Sequence, residues 1–307
     1  MLRPFDYVRP ADVPGALAAL SEPGAVPLAG GTDLLPGIRQ GRVSPRLVVD
    51  LKGLPPLRGI RELPDGSVWV GSLTTMRELA ESTVVRGRYG ALADAAAAMG
   101  CYEIRVRATL GGNVCNASPG ADTIPPLVVL GARAVLSGTG GRRELLLEEF
   151  IHDTGRTALQ PGEILEGFVL PPLSPGSCST YLRSGRIKGM DLASLGVAVL
   201  AVATGVPGAV HAGETASDRR SGRHQFRVAA GAVAPTVHRI SPVEQVLNRG
   251  PLSLAYVEEA KAAFARAISP RATSIRAGPE YKKYMAGVLL QLGLQRLFPD
   301  LGAGGQA

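Results

Sequence analysis

Cysteine is scarce and unpatterned in this chain. The three cysteines, Cys101, Cys115 and Cys178, show neither C-x-x-C nor C-x-x-H spacing. This excludes a disulfide framework and a locally built zinc or iron–sulfur site, and it points to a reducing, cytoplasmic compartment. Met1 leads into Leu2 and Arg3 without a positive n-region and apolar h-region, so no secretory signal is expected. Long apolar runs are also lacking. The longest, 192–206, is interrupted by Ser194, Gly196, Thr204 and Gly205 and falls short of the ~20 residues a membrane helix needs, so it reads as a long buried strand. Aromatic residues make up only 5%, too few for a base-stacking surface. The net charge is +7, yet the one dense basic cluster, 218–224, reads as a solvated hairpin tip, and nucleic acid is excluded as a partner. His152, His211, His224 and His238 have no Ser, Cys or metal-ligand spacing around them, so neither a catalytic residue nor a metal site is expected.

Glycine and proline are abundant, at 39 and 24 residues. They are concentrated in turns of an α/β-type chain long enough for two cores. Two Gly-Gly turns stand out, LAGGTDLLP at 28–36 and TLGGNVCNASPGAD at 109–122. A Gly-Gly pair lacks two Cβ atoms, so the backbone can reach φ > 0 and its N–H groups can converge on an anion. Each pair follows a short apolar segment and opens a helical pattern, an arrangement suited to gripping the two phosphates of a dinucleotide without any Lys or Arg. Gly30, Gly31, Gly111 and Gly112 are the expected backbone donors. Thr32, Asp33, Thr109 and Asn113 flank them with side-chain donors and acceptors. Asp33 reads both as a helix N-cap and as a ligand contact. Asp122 has the same two readings. Cys115 has no basic neighbour and reads as a packing residue.

Along the chain, helices are expected at 13–20, 34–40, 74–80, 90–99 and 122–130, and strands at 26–28, 46–51 and 67–73. A hairpin is expected from 132–136 and 143–147, its Ser-Gly-Thr-Gly-Gly loop being a turn and not a dinucleotide fingerprint. The run 171–177, rich in Pro, Ser and Gly, marks a boundary. Beyond it lie strands at 179–183, 192–204 and 226–232 and helices at 242–248, 252–268 and 280–298. The expected division is a first domain over 1–175, with subdomains of about 1–55 and 56–175, then a C-terminal domain over 176–300 and a frayed tail at 301–307.

These residues resemble the FAD-binding medium subunit of molybdenum hydroxylases, the xanthine dehydrogenase and carbon monoxide dehydrogenase family. The likeness covers nearly the whole chain. Beside the two glycine motifs it includes GRTALQPGEIL at 155–165, Tyr181-Leu-Arg followed by KGMDLA at 188–193, and AGAVAP at 230–235. The resemblance implies an α+β fold: a p-cresol methylhydroxylase-type FAD-binding domain of two α/β subdomains, then a C-terminal α+β domain of a three-stranded sheet packed by helices, closing over the flavin. It implies that Leu28, Ala29, Gly30, Gly31, Thr32, Asp33, Leu34 and Leu35 line the FAD together with Thr109, Gly111, Gly112 and Asn113. It also implies that Asp122 reaches the adenosine end and that Leu165 packs near the flavin. Arg183 stands where the family often has Lys, and it delivers the charge as a planar fork. The implied partners are a molybdopterin-binding large subunit and a small subunit carrying iron–sulfur clusters, with NAD or another acceptor as the electron outlet and the segment 149–159 near the flavin's exposed edge. Two other readings are a free-standing flavin oxidoreductase of the same fold and a non-catalytic assembly subunit.

Overall fold

A computed structural model describes residues 4–187, 189–204, 223–274 and 276–301. Residues 218–222 of the expected hairpin tip at 218–224, His211, Lys188 of the fourth motif and the tail beyond Leu301 lie outside the described residues, while Arg223 and His224 of that expected tip already belong to the strand Arg223–Gly231. The chain forms two compact units. One is built from the residues up to Leu79 together with Gly100–Ser118 and Gly131–Pro172, and the other from Ala80–Met99, Pro119–Leu130 and the residues from Leu173 onward.

The first unit holds two sheets. In the smaller, the strands Asp6–Val8 and Ala25–Leu28 flank Leu47–Asp50, both parallel to it. The helix Val13–Leu20 makes the first crossover. Its start is set by Asp12, whose carboxylate accepts from the Gly15 N–H at 2.8 Å, and by Pro14 in the first turn. The helix Leu34–Arg39 makes the second crossover. Val48 and Val49 of the central strand are fully buried, which is why a parallel strand reads as an apolar run and not as an alternation. The larger sheet is antiparallel, in the order Ile60–Glu62, Val68–Gly71, Ile164–Leu170, Arg133–Gly138 and Gly141–Leu146. The expected hairpin loop tightens here to a two-residue turn between Gly138 and Gly141, which face each other across the ladder. Val49 of the smaller sheet and Ile164 of the larger belong to one core cluster with Leu51, Leu54, Leu57 and Leu73, so the two sheets share packing.

The second unit is organised on Leu195–Thr204, the apolar run noted above. This strand lies between Cys178–Ser184 and Arg223–Gly231 in an antiparallel sheet. Leu195, Val197, Val199 and Ala201 join the core made by the helices Ser241–Leu247, Leu254–Ala267 and Pro279–Leu297. Ala198 and Leu200, on the opposite face, are also fully buried, and there the sheet packs against Gly90–Ala98 and Ile124–Leu130. Burial on both faces explains the unbroken hydrophobicity.

Three expectations change. The C-terminal sheet gains a fourth strand, His238–Arg239, too short at two residues to show a periodicity. Leu301 is buried in the core and its N–H donates to the Phe298 carbonyl at 2.9 Å, so the ordered chain runs one residue further than expected. By packing, the helices Gly90–Ala98 and Ile124–Leu130 belong with the C-terminal sheet although they precede the 175/176 boundary. Their small and apolar faces allow this: Gly90 has the Ser179 carbonyl oxygen within 2.7 Å of where a Cβ would be, and the Ala91 N–H donates to Ser179 Oγ at 3.1 Å.

Candidate functional site

The first glycine turn leaves the strand Ala25–Leu28 and enters the helix Leu34–Arg39. Gly31 has φ +78, in the left-handed region, and a Cβ there would sit 3.2 Å from Leu28 Cδ1 and 3.3 Å from Leu35 Cδ1. Gly30 is required for a different reason. Its Cβ would run into the carbonyl oxygen of Arg107, with the carbonyl carbon at 2.8 Å and Ala108 Cα at 3.1 Å. The first turn therefore touches the segment that leads into the second. Among the described residues no hydrogen bond engages the N–H groups of Gly30, Gly31, Thr32 or Asp33. Four backbone donors in succession are thus left for a ligand or solvent. Asp33 stands at the N-cap position without a side-chain cap bond, so of its two readings the capping one is not what the structure shows.

The second turn is built oppositely. The N–H groups of Leu110 and Gly111 donate to the carbonyls of Thr74 and Ser72 at 2.9 and 2.8 Å. That of Gly112 donates to Thr109 Oγ1 at 3.1 Å, and that of Asn113 to the Thr109 carbonyl at 3.0 Å. The expected donation by Gly111 and Gly112 is therefore corrected: both N–H groups are spent inside the fold, Thr109 acting as the N-cap of the helix Leu110–Cys115. Gly111 is needed because a Cβ would lie 2.6 Å from Ser72 Cβ. Thr109 Oγ1 accepts that bond and keeps a hydroxyl proton to donate.

Between the two turns lies a pocket of about 180 Å³, lined among others by Gly30, Thr75, Thr109, Lys52, Arg58 and Arg107. The three cations went unrecognised in the sequence because Lys52 and Arg58 are far from both motifs. Arg107 was the available signal, since it immediately precedes Ala108-Thr109. The Lys52 ammonium is 2.8 Å from Asp50, and Arg58 donates to the Lys52 carbonyl at 3.1 Å. With one carboxylate against three cations, the lining favours an anion.

Leu165 is buried on the strand Ile164–Leu170, at the bulge between Leu165 and Gly167. The next residue ties this strand to the second turn, because Ser72 N–H donates to the Glu166 carbonyl at 2.8 Å and Ser72's own carbonyl accepts from Gly111. Asp122 and Arg183 meet in the second unit. Tyr181 Oη donates to Asp122 Oδ1 at 2.9 Å, Arg183 Nη1 contacts both carboxylate oxygens at 3.2 and 3.1 Å, and Arg183 Nη2 reaches the Asp191 carbonyl at 3.0 Å. Burial raises the Asp122 pKa above its ordinary value despite the opposing pull of Arg183 and Tyr181. Burial, followed by the Asp122 charge, pushes the Tyr181 phenol well above its ordinary value. Gly196 makes the room, since a Cβ there would strike the Tyr181 hydroxyl. Burial pushes the Cys115 thiol up to about 12, which suits a packing residue and not a nucleophile. Among the described residues no group of three or more His, Cys, Asp or Glu could hold a metal ion, and no helix is long and apolar enough to cross a membrane.

Comparison with known proteins agrees with this architecture. Residues 3–173 match the family described as FAD binding domain in molybdopterin dehydrogenase, and residues 180–297 match the CO dehydrogenase flavoprotein C-terminal domain. The xanthine dehydrogenase FAD-binding subunit of Escherichia coli O157:H7 is 30% identical over 283 residues, 91% of each chain. The carbon monoxide dehydrogenase medium chain of Hydrogenophaga pseudoflava is 32% identical over 298 residues, covering 94% of this chain and 96% of that one. A solved carbon monoxide dehydrogenase structure from Hydrogenophaga pseudoflava superposes with a TM-score of 0.86 at 28% identity, over 98% of this chain and 100% of the other. A cradle shaped by two glycine pairs, four uncommitted backbone donors and a cation-lined pocket is what a flavin dinucleotide needs, and the chain belongs to the FAD-binding subunit family of the xanthine dehydrogenase and carbon monoxide dehydrogenase group of molybdenum hydroxylases.

Proposed function

We propose that this chain is the FAD-carrying electron-transfer subunit of a cytoplasmic, multi-subunit molybdenum hydroxylase. It takes electrons from iron–sulfur clusters on a small partner subunit, which are fed by a molybdopterin-binding large subunit, and passes them to NAD or another acceptor. The observation that carries this reading is the meeting of Gly30 with Arg107, which sets the first residue of a turn with four uncommitted N–H groups, residues 30–33, in the lining of a pocket shared with Lys52, Arg58 and Arg107. Bound FAD would supply the exchange between one-electron and two-electron carriers. The chain's own part is to hold it. The first turn donates to the diphosphate through its backbone, the cations balance its charge, and Thr109 offers a hydroxyl from the second turn. Leu28, Ala29, Leu34, Leu35, Gly111, Gly112, Asn113 and Leu165 are assigned to the lining of the cofactor site. Asp122 and Arg183 are assigned to the cofactor on the family resemblance. The names of the relatives, a FAD-binding subunit and a medium chain, support an assembly with other subunits. The two family matches, 3–173 and 180–297, support a domain boundary near 175.

The test is the visible spectrum of the purified chain after incubation with FAD and desalting, before and after dithionite. Retained flavin bands that bleach on reduction are expected. A chain that keeps no flavin, alone or when co-purified with its partner subunits, would sink the reading.

A further inference from the structure

Of the three cations that line the pocket, Lys52 is paired with a buried carboxylate. Asp50 ends the central strand of the parallel sheet with its side chain shielded from solvent and accepts three hydrogen bonds. Tyr7 Oη donates to Oδ2 at 2.5 Å, while the Lys52 backbone N–H and the Lys52 ammonium reach Oδ1 at 2.9 and 2.8 Å. The backbone bond caps the short 3-10 turn Leu51–Gly53, so one carboxylate sets both where the chain leaves the strand and where the Lys52 side chain lies. Tyr7 comes from the edge strand beside it, in register with Val48. Burial acts to raise the Asp50 pKa, but the hydrogen bonds from Lys52 and Tyr7 outweigh it and leave the carboxyl below its ordinary value. The carboxylate thus stays ionised, with both oxygens hydrogen-bonded. An ammonium has three N–H donors. Only one of those on Lys52 is spent on Asp50, which leaves two for an anion in the pocket the residue lines.

We propose that Tyr7 and Asp50 are positioning residues that preset Lys52 as a cation for the dinucleotide's diphosphate, an inference that rests on the FAD reading above. A lysine already held by its own fold loses less freedom when the anion arrives than one waving in solvent. With both oxygens engaged by Tyr7 and Lys52 and its side chain shielded from solvent, Asp50 orients the cation without itself lining the pocket.

The experiment is a double-mutant cycle on the full-length chain, stripped of flavin and titrated with FAD at several salt concentrations. Lys52→Met is expected to weaken FAD binding by about tenfold, as for loss of a charge-assisted contact, and to flatten the salt dependence. Asp50→Asn should reproduce most of that loss although Lys52 is present, and should add nothing in the Lys52→Met background, because it acts only through Lys52. Tyr7→Phe, at an exposed edge position, should give a smaller loss of about threefold in the wild-type background and none with Lys52→Met. It serves the same cycle should Asp50→Asn fail to fold. Additive losses, or unchanged affinity in the single variants, would overturn the positioning role while leaving the FAD reading intact. A wild-type chain that binds no FAD would overturn both.

Discussion

Replacing Gly30 with alanine separates close approach from backbone conformation. Gly30 does not need a positive φ, so the substitution puts no strain on its own dihedrals. The added methyl would instead strike the Arg107 carbonyl, whose carbon would lie 2.8 Å away where ordinary contact begins at 3.4 Å, and neither group is the end of a flexible side chain. The carbonyl oxygen lies closer still, so the two turns must part by more than 0.6 Å at the wall of the pocket. Overpacking of this kind costs about 1–3 kcal/mol, and if the native spacing is what FAD binds, the same energy appears as roughly a 5- to 150-fold rise in Kd. Gly41→Ala is the matched control. Its φ of +73 makes alanine strained, yet no atom lies within 4 Å of the new methyl, so it should lower stability by about 1–2 kcal/mol and leave the FAD Kd unchanged. Thermal unfolding and flavin fluorescence titration on both variants give the two numbers. A Gly30→Ala chain with FAD affinity within twofold of wild type would refute the claim that the contact between the turns shapes the site.

Three further outcomes follow from other parts of the molecule. Gly196→Ala should displace the Tyr181 hydroxyl from Asp122 and lower stability by about 1–3 kcal/mol, read by urea unfolding; Tyr181→Phe should recover part of the loss in the double variant. The Arg143 fork, which meets Glu163 at 2.8 Å on both carboxylate oxygens, holds that carboxyl below its ordinary value. Just below the ordinary glutamate value the unfolded chain therefore binds more protons than the folded one. The stabilisation from this pair is full above that value and lost as pH falls through the folded value, and Glu163→Gln should flatten the acid limb of a stability–pH profile. Cys115, its thiol pushed up to about 12, should resist iodoacetamide at pH 8 in the native chain and react after unfolding, as seen by peptide mass spectrometry.

Local chemistry made much of this architecture legible. Asp12 and Pro14 announce the helix Val13–Leu20, and a Gly-Gly pair between an apolar strand and a helical pattern announces each turn. What the turns do with their N–H groups was not legible, because that depends on what faces them. Gly111 and Gly112 look like Gly30 and Gly31 in sequence, but Ser72 and Thr109 stand in front of their donors and consume them. Lys52 and Arg58 escaped notice for a similar reason: each is an ordinary surface cation until the fold brings it beside Gly30 and Thr109. The partners of Gly90–Ala98 and Ile124–Leu130 were hidden because an Ala-rich or wholly apolar helix states that it will be covered without naming the cover.

That last pairing has a consequence for biogenesis. The chain passes between its two compact units five times, at residues 79/80, 99/100, 118/119, 130/131 and 172/173. On the ribosome, the helices of 80–99 and 119–130 emerge long before the strands Cys178–Ser184 and Leu195–Thr204 that they cover, so they wait with apolar faces open until those strands have been made. Neither unit can finish folding from one uninterrupted stretch of nascent chain, and a fragment cut at the linker would carry a C-terminal sheet with one face stripped. The nascent chain therefore passes through states with apolar surface exposed, and expression of the chain without cuts is the sound route to material for its variants.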